Sequence, residues 1–390
     1  MYKRGNVKPV KRRFAFMPAP LAHSLLALAF LCALPGALSG QDVKTKDDKR
    51  EEKKPEPFPI KKVTQGMGLE RIGPLSPDGK SILLIGKKPD RMPAAYIMDL
   101  AGFAIRPPLT NLRSGVTEAA WSPSGEMIAF SGSDETASFP EVYVLDAGSG
   151  KQRQLTRNNF SDRQPVFTPD GKRLLFTTDE SPLPDAAFGI LHVVSVNVTG
   201  GRAEAFTDDE GSSILPEISP DGKTVLVVKV NEITGRHSLW EYDLNGKPLR
   251  SLTERRFARI HRYITTPSGL IVIWAQEQAE QQDNVYLLDA KTTAVRELPE
   301  PDLPKLEPAI SPDGKLIAFI GPAARGRALY LFDSGAGQIT QLTHKGVNNY
   351  SPRFISNTMI LFGSDRDGEK EIYSVGLSQA AGEAKKGRKD

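Results

Sequence analysis

The chain has 390 residues, 39% of them hydrophobic and 25% charged, with 34 Gly, 30 Pro, a single Cys and a formal charge of +4. That length supports one or two domains with a sizeable core, and the composition excludes disorder throughout. One cysteine excludes an internal disulfide, a CxxC zinc module and a dithiol redox centre.

Residues 1–40 carry Lys3, Arg4, Lys8, Lys11, Arg12 and Arg13 with no acid, then the apolar run Leu21 to Leu34, then Ala37-Leu38-Ser39-Gly40. A basic start, an apolar stretch too short to span a bilayer comfortably and a small-residue exit read as a signal peptide, with a periplasmic or secreted mature protein. Arg12-Arg13 leaves a twin-arginine route open. The lack of a clean Ala-x-Ala site leaves an uncleaved signal anchor as the expected form of any membrane contact, and Leu31 before Cys32 argues against a lipoprotein. Removing the leader takes six of the 51 basic residues, leaving 45 against 47 acids, and takes Cys32 with them. Residues 41–59 alternate acids and bases with three prolines and read as a charged disordered linker. Residues 378–390 are Lys-rich and read as a basic disordered tail, so the folded unit is expected over 60–377.

Within that unit one tetrapeptide recurs: Ser76-Pro77-Asp78-Gly79, Ser122-Pro123-Ser124-Gly125, Thr168-Pro169-Asp170-Gly171, Ser219-Pro220-Asp221-Gly222, Thr266-Pro267-Ser268-Gly269 and Ser311-Pro312-Asp313-Gly314, spaced 46, 46, 51, 47 and 45 residues apart. Each spells a type I turn. A seventh copy is eroded: Pro352-Arg353-Phe354 matches Pro165-Val166-Phe167 and Pro216-Glu217-Ile218, with Ile355 to Asn357 in place of the turn. A β-rich run follows each turn, as in Val225 to Val228 or Leu316 to Ile320. The next run carries an aromatic and an acid in register, as in Tyr96 with Asp99, Tyr143 with Asp146 and Tyr286 with Asp289. That recurrence reads as architecture, an aromatic packed between sheets and an Asp supporting the adjacent turn. A last strand ends in Leu109-Thr110, Leu155-Thr156, Phe206-Thr207, Leu252-Thr253, Leu298-Pro299 or Leu342-Thr343.

Four short antiparallel strands per 46 residues, with no amphipathic helix between, predict an all-β fold, a seven-bladed β-propeller of four-stranded antiparallel blades, six-bladed as the fallback. The seventh repeat has three strands, and Ile60-Lys61-Lys62-Val63-Thr64 resembles the missing fourth, so an N-terminal strand is expected to close the ring.

The repeat in its fullest form, Pro352 to Phe354, Ile360 to Phe362, Ser364-Asp365-Arg366-Asp367-Gly368 and Glu371-Ile372-Tyr373, resembles that of the TolB-like β-propeller family. It is also similar to the propeller domain of prolyl-oligopeptidase-type peptidases. The resemblance covers about residues 60–377 and implies a cell-envelope binding protein, a scaffold or a Tol-type transport component. There are two departures. The α/β domain that precedes the six-bladed TolB propeller has a charged linker in its place here, and the 13 residues after Leu377 hold no hydrolase domain.

No catalytic motif is present. Gly-x-Ser-x-Gly is absent, and Gly148-Ser149-Gly150-Lys151 lacks the flanking residues of a phosphate loop and falls on a repeat turn. His192, His237, His261 and His344 show no metal-ligand spacing, and Asp365 with Asp367 reads as a polar hairpin rather than a calcium loop. No metal or cofactor is therefore expected. Residues 63–377 hold 33 basic and 39 acidic residues, which disfavours nucleic acid.

Connections between blades and the loops joining second to third strands share one face of a propeller, and insertions at Ser133 to Glu141 and Asp179 to His192 lengthen it. The connection from Glu254 to Tyr263 carries Arg255, Arg256, Phe257, Arg259, His261, Arg262 and Tyr263, residue types frequent in binding hot spots. Arg157 and Arg163 fall on an equivalent connection, as do His344 and Lys345. These nine residues, Arg157 and Arg163 with the seven from Arg255 to Tyr263, are the candidate ligand-binding set. The competing reading is a solvated loop whose charges pair with Asp208, Asp209 and Glu210. The expected function is a non-catalytic, monomeric propeller binding a protein or other extended ligand of the cell envelope. The alternative is a propeller enzyme, a lyase or hydrolase acting on a lactone, glycan or peptide at the axial mouth.

Overall fold

The computed structural model describes residues 58–377, apart from 89–91, 111–114, 134–138, 181–188, 208–210, 301 and 345. The expected signal peptide, most of the linker and the tail lie outside the described residues, as do most of both insertions, Asp208 to Glu210 and Lys345. No helix among the described residues is long and apolar enough to cross a membrane.

The described chain forms seven antiparallel sheets in sequence order, the seven blades of a propeller. Their first strands, Leu69–Leu75, Val116–Trp121, Arg163–Phe167, Ser212–Ile218, Arg259–Thr265, Leu306–Ile310 and Asn349–Ser356, are the innermost ones. Each blade is buried on both faces because apolar residues of one sheet mesh with those of the next. Leu226, Val228 and Leu239 of blade 4 pack with Phe257, Ile260, Ile273 and Tyr286 of blade 5. The same holds around the ring to the seam, where Leu361 and Ile372 of blade 7 meet Leu69, Ile82, Leu84 and Tyr96 of blade 1.

The repeated residues act as predicted. In Ser219 to Gly222 the serine hydroxyl donates to Asp221 Oδ1 at 2.7 Å, and the same carboxylate oxygen accepts the Lys223 N–H at 3.1 Å. The acids of the third strands bind the turns that follow them: Asp99 accepts from the Ala101 N–H, Asp289 from Lys291 and Thr292, and Asp333 from Gly335 and Ala336. In six of the seven blades a threonine after the outer segment clamps the next strand inward, blade 5 having Pro299 there. Thr110, Thr156, Thr207, Thr253, Thr343 and Thr64 accept, through Oγ1, the N–H groups of Ala95, Val142, Val193, Leu239, Leu329 and Ile372.

Blade 7 is completed from the other end of the chain. Ile60–Lys62 pairs antiparallel with Glu371–Gly376, placing Ile60 opposite Val375 and Lys62 opposite Tyr373. Phe58, at the end of the expected linker, is buried in the cluster between blades 6 and 7. Blade 1 is the variant. Its sheet holds Leu69–Leu75, Ser81–Gly86 and Ala94–Asp99, and its outer segment forms no strand but meets the last of these at an isolated bridge, Met98 to Ile105, and through Leu109 and Thr110 at Ala95. Pro107 and Pro108 bring no N–H to a ladder there, which limits pairing.

Candidate functional site

An innermost strand bonds its own blade along one edge and turns the other to the axis, so any bulge in it leaves an N–H in need of a partner. Four of these strands bulge at the residue before a proline. Gln164, Leu215, Glu307 and Ser351 have φ of 58°, 56°, 50° and 52°, and the strand register shifts beside each. Three of the freed N–H groups are taken up by side chains of the preceding blade. Gln164 donates to Glu118 Oε2 at 3.4 Å, Leu215 to Gln164 Oε1 at 3.1 Å, and Ser351 to Glu307 Oε2 at 2.6 Å. Across the seam the Ile72 N–H donates to Ser351 Oγ at 3.0 Å. The result is a set of polar ties on the channel side that joins blade 2 to 3, 3 to 4, 6 to 7 and 7 to 1.

Three further charges lie on the channel side. Glu217 on blade 4 feels the guanidiniums of Arg262 on blade 5 and Arg353 on blade 7, and Arg262 in turn feels Arg71 of blade 1, Glu118 of blade 2 and Glu307 of blade 6. Blades 4 and 7 are not neighbours, so these groups meet only across the axis. All three side chains are half-buried in the channel wall, and none makes a hydrogen bond or ion pair among the described residues. Arg353 Nε is buried without a partner. Desolvation is the largest influence on each: it raises the Glu217 carboxyl to about 7 against the pull of the two arginines. It lowers Arg262, and it lowers Arg353 to about 9 with Arg262 adding to the effect.

The candidate residues read from sequence separate into three environments. The innermost strand of blade 5 begins at Arg259, so only Glu254 to Ala258 is a true connection, and Arg259, His261, Arg262 and Tyr263 belong to a strand. Phe257 and Tyr263 face away from solvent in the cluster between blades 4 and 5. Phe257 is drawn inward by an antiparallel bridge to His237, and the Tyr263 hydroxyl lies 2.7 Å from the Leu215 carbonyl and 2.8 Å from that of Leu226. Arg262 faces the axis. Arg256 is held at the core edge, 3.2 Å from Glu277 and over the rings of Phe257 and Tyr286. His261 is 2.8 Å from Asp283 Oδ1, with its ring against Trp274 at 4.7 Å.

Arg255, Arg259, Arg157 and Arg163 remain exposed on the face of the connections. Arg157 donates to Gln154 and Arg163 to Ser161, whereas Arg255 and Arg259 make no side-chain bond among the described residues. The connection bearing Arg255 is nonetheless fixed. Arg236 donates to the carbonyls of Arg255, at 2.6 Å, of Arg256 and of Glu277, and Ile260 donates to His237 Nδ1 at 3.1 Å. Burial, with Arg259 and His261 nearby, lowers His237 to about 4, which keeps it a neutral acceptor. A cleft of about 520 Å³ opens beside this connection, lined by Ser251 to Arg256 with Thr293 and Val295. No group of three or more His, Cys, Asp or Glu residues among the described residues is placed to hold a metal ion.

Arg71, Glu118, Glu217, Glu307 and Arg353 were not picked out by sequence reasoning. The available signal is the middle of the Pro-x-aromatic or aliphatic triplet, Val166 in blade 3 but Glu217 in blade 4 and Arg353 in blade 7.

Seven cyclically packed antiparallel sheets closed by an N-terminal strand, around an axis lined by strand charges, define a β-propeller. The family model of the TolB beta propeller domain matches residues 72–304, and the chain belongs to that family. An uncharacterized protein of Agrobacterium fabrum is 27% identical over 154 residues, covering 40% of this chain and 49% of its own. The Tol-Pal system protein TolB of Bordetella pertussis is 31% identical over 110 residues, 28% of this chain and 24% of its own. The chain thus matches about half or less of the length of these relatives. Among solved structures, an oligogalacturonate lyase from Vibrio parahaemolyticus superposes with a TM-score of 0.64 at 15% identity, covering 83% of this chain and 94% of its own. The β-propeller domain of the Trilobed protease from Pyrococcus furiosus gives 0.57 at 14% identity, covering 80% and 96%. At these identities the likeness is one of fold.

Proposed function

We propose that the protein is a non-catalytic binding propeller of the cell envelope, periplasmic or secreted, that holds a protein segment or other extended ligand on the face formed by its connections. One observation carries this reading: the Glu254 to Ala258 connection is pinned through its backbone by Arg236, while the Arg255 and Arg259 guanidiniums beside it have no partner among the described residues. A rigid backbone presenting uncommitted arginines loses little entropy when it binds, which favours affinity. The match to TolB relatives supports an envelope partner. With the tagged full chain as bait in an envelope extract, Arg255→Ala/Arg259→Ala is expected to lower recovery of the retained partner at least tenfold. Equal recovery by wild type and variant would remove this face from the account.

A second reading, an enzyme at the axial mouth, is favoured by Glu217, whose carboxyl near 7 beside two guanidiniums is poised for acid–base work. On that reading Glu217→Gln abolishes turnover of a lactone, glycan or peptide substrate, and turnover that survives the substitution excludes it.

A further inference from the structure

The axial charges present a mismatch that the fold does not resolve. Glu118 and Glu307 accept the bulge N–H groups of Gln164 and Ser351 and favour the charge on Arg262 from a distance, but neither pairs directly with Arg262 or Arg353. Arg262 and Arg353 approach from blades 5 and 7 and face Glu217 across the channel, yet neither reaches it within ion-pair distance. Half-buried guanidiniums with unmet donors are costly, and a buried Nε with no acceptor is the sharpest case.

We propose that Arg262 and Arg353 form an anion site at the axis of the ring that takes a carboxylate group of a ligand, with Glu217 as its internal competitor. Guanidinium forks match a carboxylate in a bidentate manner, and the group these two arginines already face is a carboxylate of the protein itself. The site does not depend on what binds at the rim, because a small dicarboxylate tests it alone.

The groups facing Glu217 are Arg262 and Tyr263 from blade 5 and Arg353 from blade 7, while Arg71 from blade 1, Glu118 from blade 2 and Glu307 from blade 6 face Arg262. Burial raises the Glu217 carboxyl to about 7. Below that pH it is protonated and leaves the guanidiniums to the ligand, and above it its charge competes for them. Between pH 6 and pH 8 a carboxylate ligand is therefore expected to weaken about tenfold, the factor for exclusion by one group titrating midway.

The test is calorimetric titration of the full chain with succinate, with succinamide and inorganic phosphate as comparison arms. Succinate should bind at pH 6, tenfold more weakly at pH 8, and succinamide should not bind. Glu217→Gln should bind succinate at pH 8 as well as wild type does at pH 6, a gain that misfolding cannot produce. Arg353→Gln and Arg262→Gln should each lose tenfold or more. Absence of succinate binding by both wild type and Glu217→Gln would overturn the site, as would affinity unchanged in Arg353→Gln. Phosphate binding as tightly as succinate, with the same losses, would overturn the assignment to carboxylates.

Discussion

Glu371→Ala is expected to lower the unfolding free energy by about 3–5 kcal/mol, the sum for three donors losing one buried acceptor. Glu371 is fully buried at the start of the third strand of blade 7, the strand to which the N-terminal segment pairs. Its carboxylate accepts the Thr64 hydroxyl at 2.5 Å, the Gly66 N–H and, at 3.2 Å, the Met67 N–H. All three donors come from the far end of the chain, about 305 residues away in sequence, so the acid is a lock on the ring's seam. Blade 2 uses the same device locally, with Glu141 accepting the Thr156 hydroxyl at 2.6 Å and the Asn158 N–H at 2.8 Å. Removing the acceptor leaves the buried Thr64 hydroxyl and Met67 N–H unpaired, frees the Gly66 N–H and loosens the pairing that covers the Glu371–Gly376 edge, an aggregation hazard once exposed. Urea unfolding of the full chain measures the effect. A loss under about 1 kcal/mol would show that the closing strand contributes little to stability, and Glu371→Gln, which keeps one acceptor, should fall between the two.

Asp162→Asn is expected to stabilise the protein at pH 8 by about 2–3 kcal/mol, the equivalent of a shift of about two pH units. Asp162 is completely buried at the start of blade 3. Burial raises its carboxyl from 3.8 to about 6, with the Glu141 charge adding to the rise and hydrogen bonding from Thr178, Thr156 and Asn158 opposing it. Because the folded state holds this proton more tightly than the unfolded chain, the group's contribution is full below about pH 4. It is lost as pH rises through 6. Asparagine keeps an oxygen for the Asn158 amide, which donates to Asp162 Oδ2 at 3.1 Å, and never carries the charge. His237 and Glu217 also titrate in this range, so the informative quantity is the difference between variant and wild type from pH 4 to pH 8. A difference that stays flat over that range would show that Asp162 ionises freely in the fold.

The repeats made the architecture legible for a local reason: each turn, clamp and capping acid acts within its own blade. Ser219 and Asp221, or Asp289 and Thr292, do the same work wherever they recur. The seam was legible because Val63-Thr64 reproduces the Leu-Thr ending of a complete blade. The outer edge of blade 1 was less so, since Leu109-Thr110 keeps the clamp on Ala95 while the prolines before it prevent a strand. The candidate set blurred two neighbourhoods, because an Arg-rich run reads as solvent-exposed whatever lies between the arginines. Phe257 follows a connection short enough to tuck it beneath the rim, and Arg262 falls on the axial edge of a strand. The axial group was hidden for a different reason. Arg71, Glu217 and Arg353 are separated by up to 282 residues and meet only because the ring closes, which no spacing records.

Ligands are expected to engage the face of the connections. Photo-crosslinking tests it most directly, with p-benzoylphenylalanine placed at Arg255 or Arg259 on that face and at Asp221 or Asp313 on the turns of the opposite one. In envelope extract, the account predicts discrete adducts from the first pair and none from the second. Adducts from Asp221 or Asp313 alone would contradict it.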